Sequence, residues 1–225
     1  MALNNTKEDV TFASVLADGK IHVTVPEGTE GAVVRTYETS DKKTGTKTEL
    51  VYTELVGKIE KVAFRDGDYG TQFLVTVVDG DEKPVVLSLG TASNFGEDFM
   101  KKILAVDMER NVKIVPFAFE DDKGKSKKGI TIYQMNAAGN ESVKVPNYFY
   151  DPATKENLHG YPKPKIAKGK PLTKDQWKLY FAEVRQFLVE KITEHFGLDK
   201  EAAPADAKET KEKVAEEVDG WAEDK

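Results

Sequence analysis

The chain contains no cysteine, and this absence excludes several kinds of chemistry. Disulfides, a catalytic thiol, thiolate-bound zinc and cysteine-ligated iron–sulfur clusters all require that residue. Histidine is almost as scarce, since only His22, His159 and His195 occur, far apart and without the spacing of metal ligands. The sequence also has no P-loop, no dinucleotide-binding glycine turn and no nucleophile elbow. We therefore expect a non-enzymatic protein without a cofactor or a metal.

Long apolar runs are also missing. No run approaches the ~18 residues that a membrane-spanning helix needs. The stretch Met1–Val10 carries Lys7, Glu8 and Asp9 where a signal peptide would have its apolar core. We expect a protein that makes no membrane contact and works in the cytoplasm.

The net charge of −6 is unevenly distributed along the 225 residues. Residues 198–225 hold ten acidic residues against five lysines, whereas residues 121–170 hold ten lysines against five acidic residues. This pattern suits either a plain solvated surface or a polyanion-binding face with an acidic tail that competes for it. The tail has little apolar surface to bury, so we expect disorder or a fraying helix. Its Trp221 would then serve as an anchor for a partner.

Apolar residues that alternate with polar ones predict strands through most of the first 150 residues. The predicted strands are 21–25, 32–39, 49–65, 71–78, 84–89, 112–119, 130–135 and 143–150. Helical spacing predicts a helix over 94–104, capped by Asn94 with Glu97, and a second over 173–196, which ends at Gly197. Gly57 lies inside the longest strand and suits a bend or bulge.

From Leu55 to Met135 the predicted order is strand, strand, strand, helix, strand, strand. This order is that of a five-stranded OB-fold barrel, although another small barrel or a sandwich with one helix would share it. We divide the mainly β chain into N-terminal strands that brace the barrel (1–54), the barrel with a basic loop (55–171), an amphipathic helix (172–197) and the acidic tail (198–225). The helix packs on its own domain or forms a dimer contact.

OB-folds bind oligonucleotides across their second and third strands, between the loop after the first strand and the loop after the fourth. Here the first loop begins at Arg65 and the second carries four lysines, which suit phosphates, while exposed aromatic rings would stack on bases. Three aromatics in a row at 148–150 cannot all face one core, so at least one must be exposed. The candidate single-stranded DNA-binding residues are Lys58, Lys61, Phe64, Arg65, Tyr69, Gln72, Lys123, Lys125, Lys127, Lys128, Tyr133, Tyr148, Phe149, Tyr150, Lys163 and Lys165.

Any one of these rings could instead pack in the core. Tyr37 and Tyr52, on the early strands, are further candidates for stacking.

Three stretches resemble phage-type single-stranded DNA-binding proteins: Val56–Gly90 (VGKIEKVAFRDGDYGTQFLVTVVDGDEKPVVLSLG), Asn111–Gln134 (NVKIVPFAFEDDKGKSKKGITIYQ) and VDGW at 218–221. The resemblance implies an OB barrel that protects single-stranded DNA during phage DNA replication, recombination or repair in the host cytoplasm. It also implies that the acidic tail competes with DNA or recruits replication proteins. The tail residues that would do so are Glu216, Glu217, Asp219, Trp221, Glu223 and Asp224.

The chain departs from the family pattern in two ways. Some members carry a structural zinc, which this cysteine-free chain cannot bind through thiolates, and tails of this kind often end in an aromatic residue, whereas this one ends in Lys225. Two other functions fit the same residues: a protein-interaction or structural module without nucleic acid, and single-stranded RNA binding. The sequence leaves the oligomeric state open between monomer and dimer.

Overall fold

The computed structural model of the chain describes residues 10–38, 42–67, 70–136, 142–165 and 171–198. Within these ranges the protein is mainly β, with one large sheet, a small two-stranded sheet and two helices. The elements, in chain order, are β1 (Thr11–Val15), β2 (Ile21–Thr24), β3 (Val33–Glu38), β4 (Thr44–Tyr52), β5 (Leu55–Arg65), β6 (Gln72–Val78), β7 (Val85–Gly90), α1 (Asn94–Ile103), β8 (Asn111–Glu120), β9 (Ser126–Met135), β10 (Ser142–Lys144), β11 (Tyr150–Asp151), β12 (Glu156–Asn157) and α2 (Lys174–Phe196).

The large sheet has the strand order β10-β9-β8-β5-β6-β7-β1-β2-β4-β3. Every pairing in it is antiparallel except that of β1 with β7, so the sheet is mixed. The predicted order of three strands, α1 and two strands is present as β5 to β9, and those five strands are neighbours. A closed five-stranded barrel is not found, because among the described residues β7 pairs onward with β1 and β9 with β10.

Strand β1 was not predicted from the sequence, and it is the strand that follows β7 in the large sheet. It pairs in parallel with β7 from Thr11 to Ser14 and antiparallel with β2. The turn after β1 contains Gly19, whose φ is 71°. A Cβ atom on Gly19 would lie 2.3 Å from the backbone nitrogen of Ala118, so this turn packs directly against the backbone of β8. The early strands therefore brace β8 as well as β7.

Strand β5 changes partners along its length, and glycine makes this possible. Its first residues pair with β8, while Lys58–Arg65 pair with β6 around a bulge between Ile59 and Lys61. Gly57 has a φ of 149°, and a Cβ atom there would lie 2.6 Å from the carbonyl oxygen of Val78. Only glycine tolerates that conformation and that close approach. Gly57, the predicted bend site, therefore lies where the pairing of β5 changes from β8 to β6.

Helix α1 closes one side of the core. Its N-cap is Ser93, whose Oγ accepts the backbone N–H of Gly96 at 3.0 Å, and not Asn94 as the sequence indicated. The predicted partner Glu97 forms an ion pair with Lys101 in the next turn. The core beneath α1 is built from side chains that are at most 2% exposed: Ile59, Phe73, Val75, Leu87, Leu89, Phe99, Met100, Ile103, Ile114, Ile130 and Ile132.

Helix α2 has the predicted ends. Thr173 and Gln176 form a reciprocal capping box, and Gly197 ends the helix in the left-handed conformation with a φ of 60°. Val184, Leu188 and Ile192 are fully buried in the core, which confirms packing of the helix on its own domain. No helix in the described part of the chain is long and apolar enough to span a membrane.

The predicted strand over 143–150 is instead split. Val145 still donates its N–H to the carbonyl of Ile132 at 2.8 Å, but Pro146 has no N–H with which to extend the ladder. The chain then turns, and the N–H of Tyr148 donates to the carbonyl of Lys101 in α1 at 2.8 Å. The residues that follow Val145 therefore lie beside α1 and not in the large sheet, to which only β10 belongs.

Candidate nucleic-acid interface

The outward surface of the β8–β9 hairpin carries two lysines and three aromatic rings. Antiparallel pairing places Lys113 opposite Tyr133 and Phe119 opposite Lys127, with Phe117 opposite Gly129 between them. Alternation in the two strands puts these side chains on one side and Ile114, Ile130 and Ile132 on the core side. We refer to Lys113, Phe117, Phe119, Lys127 and Tyr133 as the β8–β9 face.

The β8–β9 face continues across the neighbouring strands. Val56 of β5 pairs with Lys113, and Lys144 of β10 pairs with Tyr133, so one row crosses four strands as Val56, Lys113, Tyr133 and Lys144. The Nζ atom of Lys113 lies 5.5 Å from the centre of the Tyr133 ring, within the range of a cation–π interaction. A half-buried ring held between two lysines on a pleated surface is suited to stacking on a base while its neighbours contact phosphates.

Phe119 is the most exposed ring of this face, with 55% of its surface accessible. Its centroid lies 5.8 Å from that of Phe117, and the Phe117 ring in turn packs over the bare backbone of Gly129. An exposed phenylalanine opposite a lysine has no role in the core. The apolar pattern over 112–119 predicts a strand but does not show which face its last residue occupies, so Phe119 was not among the predicted residues.

The lysine-rich loop after β8 is held in one shape by Asp121. The carboxylate of Asp121 accepts the backbone N–H groups of Lys125 at 2.9 Å and Lys123 at 3.0 Å. Chiefly through these bonds, the pKa of Asp121 is held below its usual value. Lys123 and Lys125 are exposed on the loop, while Lys127 points to the β8–β9 face and Lys128, one residue on, to the other side. The four predicted lysines therefore do not all lie on one face.

Acidic neighbours offset part of the positive charge. Lys127 Nζ lies 3.8 Å from the Asp121 carboxylate, Lys113 Nζ lies 3.8 Å from that of Glu54, and Lys58 donates to Glu109 at 2.6 Å. The Lys113 and Lys58 pairs are solvent-exposed, and exposed ion pairs contribute little to stability. A phosphate could displace Glu54 or Glu109 at little cost, whereas Asp121 keeps its place as the acceptor of the loop's backbone N–H groups.

The predicted residues on β5 and β6 lie on the adjoining outer surface. Arg65 pairs with Gln72, and Lys61 pairs with Thr76, so their side chains share one face. Gln72 accepts a hydrogen bond from the Ser88 hydroxyl at 3.3 Å. Phe64 is turned away from this face, since its ring contacts the buried Phe73 at 4.9 Å. Tyr69 lies outside the described residues.

Phe12 of β1 extends this second surface and was not foreseen. It pairs with Val86, which pairs with Thr76, which pairs with Lys61, so one row leads from β5 across to β1. The ring is 54% exposed beside the half-buried Ser14 and Ser88. The alternation in TFASV, with Ala13 and Val15 facing inward, was the signal in the sequence that could have revealed an outward Phe12.

The aromatic cluster at 148–150 divides among three environments. Phe149 is only 1% exposed and is enclosed by Tyr148, Tyr161 and Phe187, so it is a core residue and not a stacking residue. Tyr148 stacks on His159 with centroids 4.0 Å apart. Tyr150 is 39% exposed, which confirms that the three rings cannot all be buried.

The remaining predicted residues lie in the segment before α2 or outside the described chain. Lys163 and Lys165 are exposed in the segment that leads towards α2. The tail residues Glu216, Glu217, Asp219, Trp221, Glu223 and Asp224 lie outside the described residues. In the described ranges, no group of three or more His, Asp or Glu side chains is arranged to hold a metal ion. Comparisons with protein-family models, with curated proteins and with solved structures found no match.

Proposed function

We propose that the protein binds single-stranded DNA without base specificity, by way of the β8–β9 face, as a phage-type single-stranded DNA-binding protein. The observation that carries the proposal is the row of Val56, Lys113, Tyr133 and Lys144, with the exposed Phe119 and Lys127 at the other end of the same face. Lysines contact phosphates and rings stack on any base, so this composition favours binding without sequence readout. The protein would protect exposed single strands in DNA replication, recombination or repair.

The order of β5 to β9 with α1 supports an OB-type arrangement for the same region. In that arrangement β6 and β7 correspond to the second and third strands, whose outer face carries oligonucleotides in OB-folds. Arg65, Gln72 and Phe12 lie on this outer face. The bound strand would therefore run from the β8–β9 face on to the surface of β6, β7 and β1.

The test is a fluorescence-anisotropy titration of labelled oligo-dT at several salt concentrations, with a duplex of the same length as control. We expect tight binding to the single strand that weakens steeply with salt, and much weaker duplex binding. Oligo-rU of equal length measures the preference between DNA and RNA. If neither full-length protein nor a tail-deleted form binds any single strand at low salt, the surface serves a protein partner and the proposal is wrong.

Variants connect the binding to the β8–β9 face. Phe119→Ser removes an exposed ring and should weaken binding by about 5- to 100-fold, the equivalent of one stacked base. Lys127→Ser should reduce the salt dependence by about one counterion. Lys191→Ser, on α2 and paired with Glu194, is the matched control and should leave the affinity within about twofold of the wild type.

A further inference from the structure

The β3–β4 hairpin extends beyond the rest of the large sheet. β4 pairs with β2 through Glu49–Tyr52, and the Val25 N–H still donates to the Thr48 carbonyl at 2.9 Å, whereas its residues 44–47 pair only with β3, the last strand of the sheet. Four residues at roughly 3.4 Å each make a projection of about 14 Å. Such an arm adds little to the core, so its side chains need another explanation.

One face of this arm is aromatic and cationic. Arg35 pairs with Lys47, and Tyr37 pairs with Gly45, so these side chains lie on the same side. A Cβ atom on Gly45 would lie 2.5 Å from the Tyr37 ring, which shows that the ring lies flat on the backbone there. The Lys47 ammonium and the Arg35 guanidinium lie 5.3 and 5.8 Å from the ring centre.

The arm is attached to the body by a chain of charged hydrogen bonds. Arg35 donates twice to the buried carboxylate of Glu49, at 2.9 Å each, and Glu49 also bonds His22 Nδ1 at 2.9 Å. His22 Nε2 lies 3.1 Å from Asp18 in the turn after β1. That turn packs on β8 beside Phe117 and Ala118. The arm is therefore linked, through side chains and one turn, to the strand that carries the β8–β9 face.

We propose that the β3–β4 hairpin is a second contact for the same single strand of nucleic acid, with Tyr37 stacking on a base and Lys42, Lys43 and Lys47 contacting phosphates. This inference rests on the proposed function. The described residues of the hairpin carry Arg35, Lys42, Lys43 and Lys47 against Glu38 and Glu49, and Glu49 is already neutralised by Arg35. A nucleic-acid strand long enough to reach both the β8–β9 face and the hairpin binds more tightly than one that reaches only the face. Once it is held at the first contact, its binding to the second is intramolecular.

The experiment compares two lengths of labelled oligo-dT with wild type and with the triple variant Tyr37→Ala, Lys42→Ser, Lys47→Ser. The short probe has about eight nucleotides, which fits within the site of one OB fold, and the long probe about 30. We expect the triple variant to bind the short probe within about twofold of wild type and the long probe at least about 10-fold more weakly. Val34→Thr, on the other side of β3 and 69% exposed, is the matched control and should change neither affinity.

Three outcomes would overturn the inference. If the triple variant binds the long probe as wild type does, while both bind the short probe, then the arm makes no contact and the proposed function stands. If Val34→Thr weakens long-probe binding as much as the triple variant, the loss is not specific to the face that carries Tyr37, and the proposed stacking contact is wrong. If wild type binds neither probe, the proposed function fails and the second contact fails with it. Circular dichroism confirms that each variant is folded.

Discussion

Glu49 shows most clearly how a single residue organises the early strands. Its carboxylate is 3% exposed, yet it is shared by Arg35 of β3 and His22 of β2. Burial acts to raise the pKa of Glu49, but the hydrogen bonds and charges of Arg35 and His22 outweigh it, so the pKa lies below the ordinary 4.5. Folding therefore favours the ionised carboxylate, and its contribution is fully present above the ordinary pKa and is lost as pH falls through the lowered value.

The change Glu49→Gln should lower the free energy of unfolding by about 2 kcal/mol at neutral pH, because the part-buried Arg35 guanidinium loses its charged hydrogen-bond acceptor. The difference from wild type should shrink as pH falls through the lowered pKa of Glu49, because the wild-type carboxylate then becomes protonated as well. Urea denaturation followed by circular dichroism at several pH values measures both effects. Glu38→Gln, at the exposed end of the neighbouring strand β3, is the control, and an equal loss in that variant would contradict a specific role for Glu49.

The candidate site residues were only partly predictable at this scale. Lys127 and Tyr133 were foreseen, and the structure brings them to one face. Phe119, Lys113 and Phe12 were not foreseen. The exposure of a side chain on a strand depends on which other segments pack against its face, and not on the residue type alone. Phe149 was assigned to DNA and lies in the core for the same reason: α2 covers it, and α2 is distant in sequence.

At the scale of elements, helix α2 has two distinct halves. Its second half buries Val184, Leu188 and Ile192, whereas its first half leaves Trp177 and Leu179 exposed. The sequence pattern of apolar residues is similar in both halves, so it correctly predicted a helix but not where the packing surface begins. The first half instead forms a local aromatic cluster, in which the Trp177 and Phe181 rings stack 5.6 Å apart.

A pair of identical substitutions on this helix measures the difference. Leu188→Ala removes a fully buried side chain and should cost about 2–5 kcal/mol of unfolding free energy. Leu179→Ala changes a side chain that is 71% exposed and should stay within about 0.5 kcal/mol of wild type. Chemical denaturation of both variants is the measurement. Equal losses would mean that the first half of α2 is covered by something else in solution.

At the scale of the whole molecule, charge separation suggests competition between the tail and DNA. Residues 199–225 lie outside the described chain, so this prediction depends on composition alone: the tail segment 198–225 carries ten of the acidic residues and has the same sign as a phosphate backbone.

Deletion of 198–225 should therefore tighten binding to oligo-dT, most clearly at low salt where screening is weakest. Anisotropy titrations of full-length and truncated protein at low and at high salt measure the change. A truncated protein that binds no more tightly than the full chain at low salt would show that the tail does not compete.

The sequence by itself determined what depends on neighbours along the chain. The missing cysteines exclude thiol chemistry, the turns and apolar alternation place β5 to β9 in order around α1, and the Thr173 and Gln176 capping box with Gly197 sets the ends of α2. Tertiary structure alone decided the parallel pairing of β1 with β7, the sharing of Glu49 by two strands, and the choice of Phe119 and Tyr150 over Phe149 as exposed rings. Each of these depends on contacts between segments far apart in sequence, and local periodicity carries no information about which segments meet.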